Sequence, residues 1–147
     1  MVIEDVWVSV VKVCQGIIED VRDLYPDVQV NFIDWEAHAN IAELPNSDLI
    51  GPTALAFTEQ SPGLSDATFA IAASTYADDT NLFRQRKIMS LIFERMRPMK
   101  QMKVYDAGSA LEKGFMIFTD GTTLVPMTRS EARPWQYVQG QALLGEE

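Results

Sequence analysis

Apolar side chains recur every three or four positions at the start of the chain, at Val6, Trp7, Val10, Val11, Cys14, Ile17, Ile18, Val21 and Leu24. That spacing lines one face of a helix over roughly residues 3–24. The opposite face carries Glu4, Lys12, Gln15, Glu19, Arg22 and Asp23. The clustered valines and Gly16 lower the intrinsic helix propensity, but the periodicity outweighs them, and Pro26 ends the element. From Val28 the period falls to two, which predicts a strand over residues 28–34. Residues 35–52 read as a long loop punctuated by Pro45, Asn46, Gly51 and Pro52. Two strands follow at 53–59 and 67–75, joined through Gln60-Ser-Pro-Gly63 as an antiparallel hairpin. Small residues alternate there with Phe57, Phe69 and Ile71, as expected where helices approach closely.

Asp78-Asp-Thr-Asn81 supplies acids and cap candidates for a second helix reaching Arg97. Its apolar positions are Leu82, Phe83, Ile88, Met89, Leu91, Ile92, Phe93 and Met96, and Pro98 stops it. Residues 102–105 form a strand and 106–113 a loop. The segments 115–119 and 122–125 flank Asp120-Gly121, the strongest short hairpin signal in the chain. A polar link at 128–133 leads to a last strand over 134–144, with Gly140 as a bulge candidate. The order α-β-β-β-α-β-β-β-β predicts an α+β fold. Its sheet is mixed or antiparallel, with two main helices packed on one face, and residues 1–147 form one domain.

Composition supports this and narrows little else. A hydrophobic fraction of 47% and a charged fraction of 22% are those of a globular protein, which argues against disorder along the whole chain. Cys14 is the single cysteine, so the chain forms no internal disulfide. Glu4 and Asp5 stand where a secretory signal would be basic, and no apolar run approaches the ~20 residues of a membrane span. Synthesis and folding in the cytoplasm, without membrane association, are the expectation.

Charge is distributed unevenly. Formal charge is −12 before residue 84, +6 over 84–103 and −3 thereafter, giving the net −9. The basic window contains Arg84, Arg86, Lys87, Arg95, Arg97, Lys100 and Lys103, and Glu94 is its one acid. Three readings compete: a solvated face whose long stems cover the second helix, a contact with the acidic first helix of the same chain, and a contact between subunits. Unlike patches at different places on one molecule favour head-to-tail association. The candidate subunit-interface residues are therefore Arg84, Arg86, Lys87, Arg95 and Arg97 on one side, facing Glu19, Asp20 and Asp23 of a neighbour. Nucleic-acid recognition is not expected, because the overall charge is acidic and stacking aromatics are not interleaved with the cations.

Catalytic signals are weak. The chain has one histidine, His38, and Asp34-x-Glu36-x-His38 alternates as metal ligands on one strand face would. A solvated polar edge explains the same three residues. No nucleophile elbow and no phosphate-cradling glycine loop occurs, and Asp78-Asp79 is better explained as a helix start than as a carboxylate pair. The expectation is a non-enzyme without metal or cofactor. Trp7, Trp35 and Trp135 read as core or half-buried packing, with Trp35 and His38 the partner-contact candidates of the long loop. Met89 and Met96 fit the second helix's apolar face, while Met99, Met102 and Met127 are available to adapt to a partner.

Several features in their order along the chain carry a resemblance. The amphipathic opening helix is followed by a strand and a long loop. The hairpin of residues 53–75 feeds into Asp79-Thr-Asn-Leu-Phe-Arg-Gln-Arg-Lys87, and Arg133-Pro-Trp-Gln-Tyr-Val138 closes the chain. This arrangement resembles the tail terminator (tail completion) proteins of long-tailed bacteriophages of the lambda type. The resemblance spans nearly the whole length without a signature motif, and the length of the 35–52 loop departs from it. It implies a small α/β domain that assembles into a hexameric ring in the virion tail, after synthesis in the host cytoplasm. Such a ring caps the tail tube, ends its polymerisation and presents a head-joining surface. The implied partners are other copies of the chain, the tail tube protein and the head-tail connector protein, with no cofactor. A connector or neck protein of the same kind of particle, and a non-catalytic cellular binding domain, are the alternatives.

Overall fold

A computed structural model describes residues 2–37, 44–61, 64–76, 82–130 and 133–146. Helix α1 spans Ile3–Leu24 and is followed by strand β1 (Val30–Phe32) and a 3₁₀ turn, Trp35–Ala37. Then come β2 (Asp48–Ser61), β3 (Leu64–Ser74) and helix α2 (Phe83–Arg95). The chain ends with β4 (Gln101–Tyr105), β5 (Glu112–Phe118), β6 (Thr123–Leu124), β7 (Thr128–Ser130) and β8 (Arg133–Glu146). The sheet order is β1-β2-β3-β8-β5-β4, with β6 and β7 also paired to β8. Only β1–β2 is parallel among the described pairs, so this is an α+β fold with a mixed sheet.

The sheet curls because one helix meets both of its edges. α1 packs against β1 and β2 at one side and against β4 at the other, while α2 lies over β3 and β8 in the middle. Both helices thus occupy the concave face, as the order of elements predicts. The core alternates strictly on that face: Ala67, Phe69, Ile71 and Ala73 of β3 stand beside Ala142, Gly140 and Val138 of β8. They meet Val10, Cys14, Ile17 and Val21 of α1 and Ile88, Met89 and Ile92 of α2.

Gly140 does not form a bulge, because the β3–β8 register runs unbroken through Phe69↔Gly140. It is needed for close approach: a Cβ there would stand 3.1 Å from Met96 Cε and 3.3 Å from Phe118 Cδ1. Asp120-Gly121 is not the tip of a hairpin. Phe118 pairs with Ala142 and Thr123 with Gln139, so β5 and β6 run in line along one edge of β8. Gly121, at φ +97°, turns a short excursion between them, and Thr122 Oγ1 anchors it by donating to Met96 O at 2.6 Å. Asp-Gly supplies the left-handed backbone of any tight turn; the fourteen-residue β8 decides which strand lies alongside. The same long edge recruits residues 128–130, expected to be a link, as β7.

The 35–52 loop is shorter than expected, since β2 begins at Asp48. Pro52 is tolerated inside β2 because β1 ends opposite Ile50, leaving Pro52 on an open edge. Next to it, Gly51 lets the chain leaving β1 cross the outer face of the sheet. A Cβ on Gly51 would lie 1.5 Å from Ile33 O. α2 ends at Arg95 and starts after Leu82 (φ +58°), which provides no side-chain cap. The capping acids Asp78 and Asp79 lie outside the described residues.

Candidate functional site

The basic window divides into an internal part and an external part. Helical period sets the division: Arg84, Gln85, Ile88, Met89 and Ile92 turn inward, while Phe83, Arg86, Lys87, Ser90, Glu94 and Arg97 face solvent. Arg84 is only 8% exposed. Its Nε donates to Asp48 Oδ2 at 2.5 Å and its Nη2 to Asp48 Oδ1 at 3.1 Å, a two-pronged grip inside one chain. The pair also holds both backbone groups of Tyr76, since Arg84 Nη2 donates to Tyr76 O at 3.0 Å and Tyr76 N donates to Asp48 Oδ1 at 2.8 Å. Gln85, fully buried, adds bonds from its Nε2 to Ala73 O and from Thr75 N to its Oε1. Arg84 therefore leaves the set of surface interface candidates: it fastens α2 to the start of β2 and the end of β3.

A second buried guanidinium lies beside it. Arg133 donates to Ser74 Oγ (3.1 Å), Pro45 O (2.7 Å), Ser47 O (2.6 Å) and Ser74 O (3.2 Å), and it stacks 5.4 Å from the Tyr76 ring centre. Burial draws its pKa below the ordinary arginine value, and the Asp48 charge partly opposes this. Asp48 thus faces two arginines. A polar cleft of about 340 Å³ opens over this group, lined among others by Asp27, Gln29, Asn46, Tyr76 and Arg84.

Arg95 is also engaged at home, pairing with Asp20 of α1 in the same chain and donating to Leu91 O at 3.3 Å. For Arg95 the contact with the chain's own first helix is the one observed, whereas Arg84 meets Asp48 of β2. Arg97 pairs with Glu94 one turn away at 2.8 Å and lies 5.9 Å from the Phe93 ring centre, in an exposed setting. Lys103 pairs with Glu112 at 2.8 Å, and Lys113 with Asp5 at 3.0 Å. Among the described residues no ion pair engages Arg86, Lys87 or Lys100, nor Glu19 or Asp23 of α1. Glu19 and Asp23 are exposed and stand one turn apart.

Trp35 does not project as an exposed anchor. It is half-buried on the outer face of the sheet, its Nε1 donates to Ala72 O at 3.1 Å, and its ring meets Trp135 edge-on at 6.0 Å. Trp135 packs in turn on Tyr137 at 5.2 Å. The crossing over Gly51 carries Trp35 to this place. Asp34 Oδ1 accepts from Glu36 N at 3.1 Å, and Glu36 Oε1 accepts from Ala54 N at 2.7 Å. Ala54, at φ +56°, sits in the β2 bulge, so Glu36 satisfies a backbone donor on that otherwise open edge. His38, the third member of the alternating triad, lies outside the described residues. Among the described residues no group of three His, Cys, Asp or Glu side chains is placed to hold a metal ion.

An apolar groove of about 450 Å³ runs over the outer face of β5 and β8, between Met99, Phe115, Ile117 and Leu143. Met99 is 78% exposed, whereas Met102 is buried in the core and Met127 is half-buried. At the opposite end, Asp5 ties the start of α1 to the β4–β5 connection. Its carboxylate accepts from Val2 N (2.9 Å), Ala107 N (2.9 Å) and Lys113 Nζ (3.0 Å). Burial pushes the Asp5 pKa up, but these three donors outweigh it and hold it below the usual carboxylate value. Burial raises the Cys14 thiol far above its ordinary pKa, so it packs as a small apolar group. Among the described residues no helix is long and apolar enough to cross a membrane.

Sequence reading missed Asp48 and Arg133 as partners, and missed Phe83 and Leu24 as exposed apolar groups, 69% and 50% exposed. The one available signal was a charged residue leading an apolar run in Asp48-Leu-Ile50. No protein-family model matches the chain, and a search of curated proteins finds no match.

Proposed function

We propose that this protein is a virion structural protein acting as a phage tail terminator: a ring of copies, expected to be a hexamer, that caps the tail tube, ends its growth and offers a head-joining surface. The observation that carries this reading is the surface left after internal pairing. Among the described residues, cations on α2 and acids on α1 remain without an ion pair at separate places on one molecule. Unlike patches of that kind join copies head to tail, and a closed ring is the finite product of head-to-tail contacts. The α+β fold with two helices inside a curled sheet agrees with the architecture the resemblance implies.

The test is polymerisation of the tube protein with and without this chain, viewed by electron microscopy. Tubes that stop growing and carry a terminal ring only when the chain is added support the reading. Tubes whose length ignores the chain refute it, and finished tails that fail only in head joining indicate a connector. The apolar groove beside Met99 and Leu143 favours a second reading, a non-catalytic binding domain. That reading expects a monomer that binds an apolar probe there and ignores tube ends.

A further inference from the structure

We infer that the N-terminal part of α2 docks onto the C-terminal part of α1 of a second copy, with Phe83, Arg86 and Lys87 on one side and Glu19, Asp23 and Leu24 on the other. This deepens the ring reading and rests on it for closure, but the contact itself is argued from the charges and exposed groups of the two helices.

Each patch combines two exposed like charges with one exposed apolar residue nearby, and the charges have opposite sign on the two helices. Phe83 is 69% exposed, and Arg86 and Lys87 follow it at the three- and four-residue spacings that share a helix face. On α1, Glu19 and Asp23 share the exposed face one turn apart, and Leu24 beside them is 50% exposed. Phe83 lies between two cations on α2, while on α1 the two anions share a face and Leu24 ends the helix about a quarter turn round from Asp23. The charges also sit at the ends of their helices where the backbone repels them. The first turn of α2 contains no acid, and its positive end carries Arg86 and Lys87. Near the negative end of α1 stand Glu19, Asp20 and Asp23, together with one base in the last turn, Arg22, whose Nη2 donates to Val30 O at 2.8 Å. A neighbour of opposite charge relieves both.

Within one chain the two patches do not meet. Among the described residues the ion pair between α1 and α2 is Asp20–Arg95. Arg95 lies nine residues beyond Arg86, about 13 Å along the helix axis. Asp20, between Glu19 and Asp23, is occupied by that internal pair, and Arg84 by Asp48, which leaves two charges on each side for the second copy. One contact uses the α2 patch of one copy and the α1 patch of the other, so the pair keeps one free patch of each kind and can add further copies into a chain or a ring.

The test uses two full-length variants, R86E/K87E and E19K/D23K, and the protein carrying all four changes. Sedimentation equilibrium is run up to about millimolar protein at about 0.05 M salt, where screening is weak. Circular dichroism melts confirm that each variant folds, as expected for exposed positions. The wild type is expected to associate, and each double variant alone to associate at least about tenfold more weakly, because its two patches carry like charge. The equimolar mixture of the two variants, and the fourfold variant, are expected to recover association. F83S is expected to weaken it with no change in its salt dependence. A wild type that stays monomeric, or a mixture no stronger than either variant alone, overturns the contact. A ring that persists in both double variants overturns the contact but leaves the ring reading standing. Association through these patches without any effect on tube growth leaves the contact standing and removes the tail-terminator role.

Discussion

Asn at position 48 isolates the charge that Arg84 and Arg133 share. D48N keeps the side chain's shape and an acceptor for Tyr76 N, but it leaves the Arg84 guanidinium, 8% exposed, without a counterion. Removing one partner of a buried pair costs about 3–5 kcal/mol. The retained acceptor places D48N at the lower end, about 3 kcal/mol. R84M keeps the stem and removes the guanidinium. Asp48 then still accepts from Tyr76 N and still feels Arg133, so the cost is smaller, about 2 kcal/mol. In the double variant neither member of the Arg84–Asp48 pair is stranded and only Arg133 loses its opposing charge, so the cost falls short of the sum of the singles by at least about 1.5 kcal/mol. Urea unfolding at neutral pH measures all three, and D48N also lowers the thermal midpoint by about 10 °C for a chain of this size. A D48N cost under about 1 kcal/mol, or additive singles, would refute the picture of Asp48 as a shared counterion. An R84M protein as stable as wild type would return Arg84 to the surface patch.

Three further outcomes are expected. G16A and G51A have opposite signs: nothing lies within 4 Å of a Cβ on Gly16, so helix propensity gains about 0.5–1 kcal/mol. A Cβ on Gly51 meets Ile33 O at 1.5 Å and prevents the native crossing; equal thermal midpoints for the two variants would count against this assignment. Asp5, held below its unfolded pKa of about 3.9, contributes stability that is complete above that value and is lost as pH falls through the lower folded value. D5N should therefore lose about 1–2 kcal/mol at neutral pH, with the gap to wild type closing below about pH 4, and a gap independent of pH contradicts the assignment. W35F removes the donor to Ala72 O and alters the edge-on contact with Trp135, which should cost about 1 kcal/mol and reduce the near-ultraviolet circular dichroism; unchanged stability means the aromatic cover does not hold the crossing.

Elements whose identity depends on their own period were legible in the sequence. The buried positions of α1 follow the three-four rule from Val6 to Val21, and the alternating face of β3 follows the two-residue rule. Features decided by a distant partner were not. Asp120-Gly121 has the local chemistry of a hairpin, but its flanking strands pair with β8, whose length is a property of another segment. Gly140 has the local look of a bulge, yet its lack of a Cβ answers Met96 and Phe118. Arg84 and Arg95 counted as surface charge until Asp48 and Asp20, 36 and 75 residues away, came into place. Trp35 opens the predicted loop and reads as half-buried packing or a partner contact, and only the passage over Gly51 shows where its ring goes.

Internal pairing also bears on how strongly copies hold each other. Two exposed ion pairs contribute about 0–1 kcal/mol each, and covering a residue like Phe83 adds about 2 kcal/mol. Together they reach about 4 kcal/mol, which corresponds to a dissociation constant near the millimolar range before ordering costs. One such contact is too weak to build an open filament at ordinary concentrations. A ring differs, because its last contact closes within the assembly and gains from effective concentration. A tube end that presents several docking places at fixed spacing has the same effect, since each bound copy raises the local concentration of patches for the next. The charges left unpaired on α1 and α2 among the described residues are thus few enough to keep dilute copies apart and complementary enough to join those that are concentrated or held side by side. On the proposed role, the association is expected to strengthen steeply on tube ends and to fade with salt.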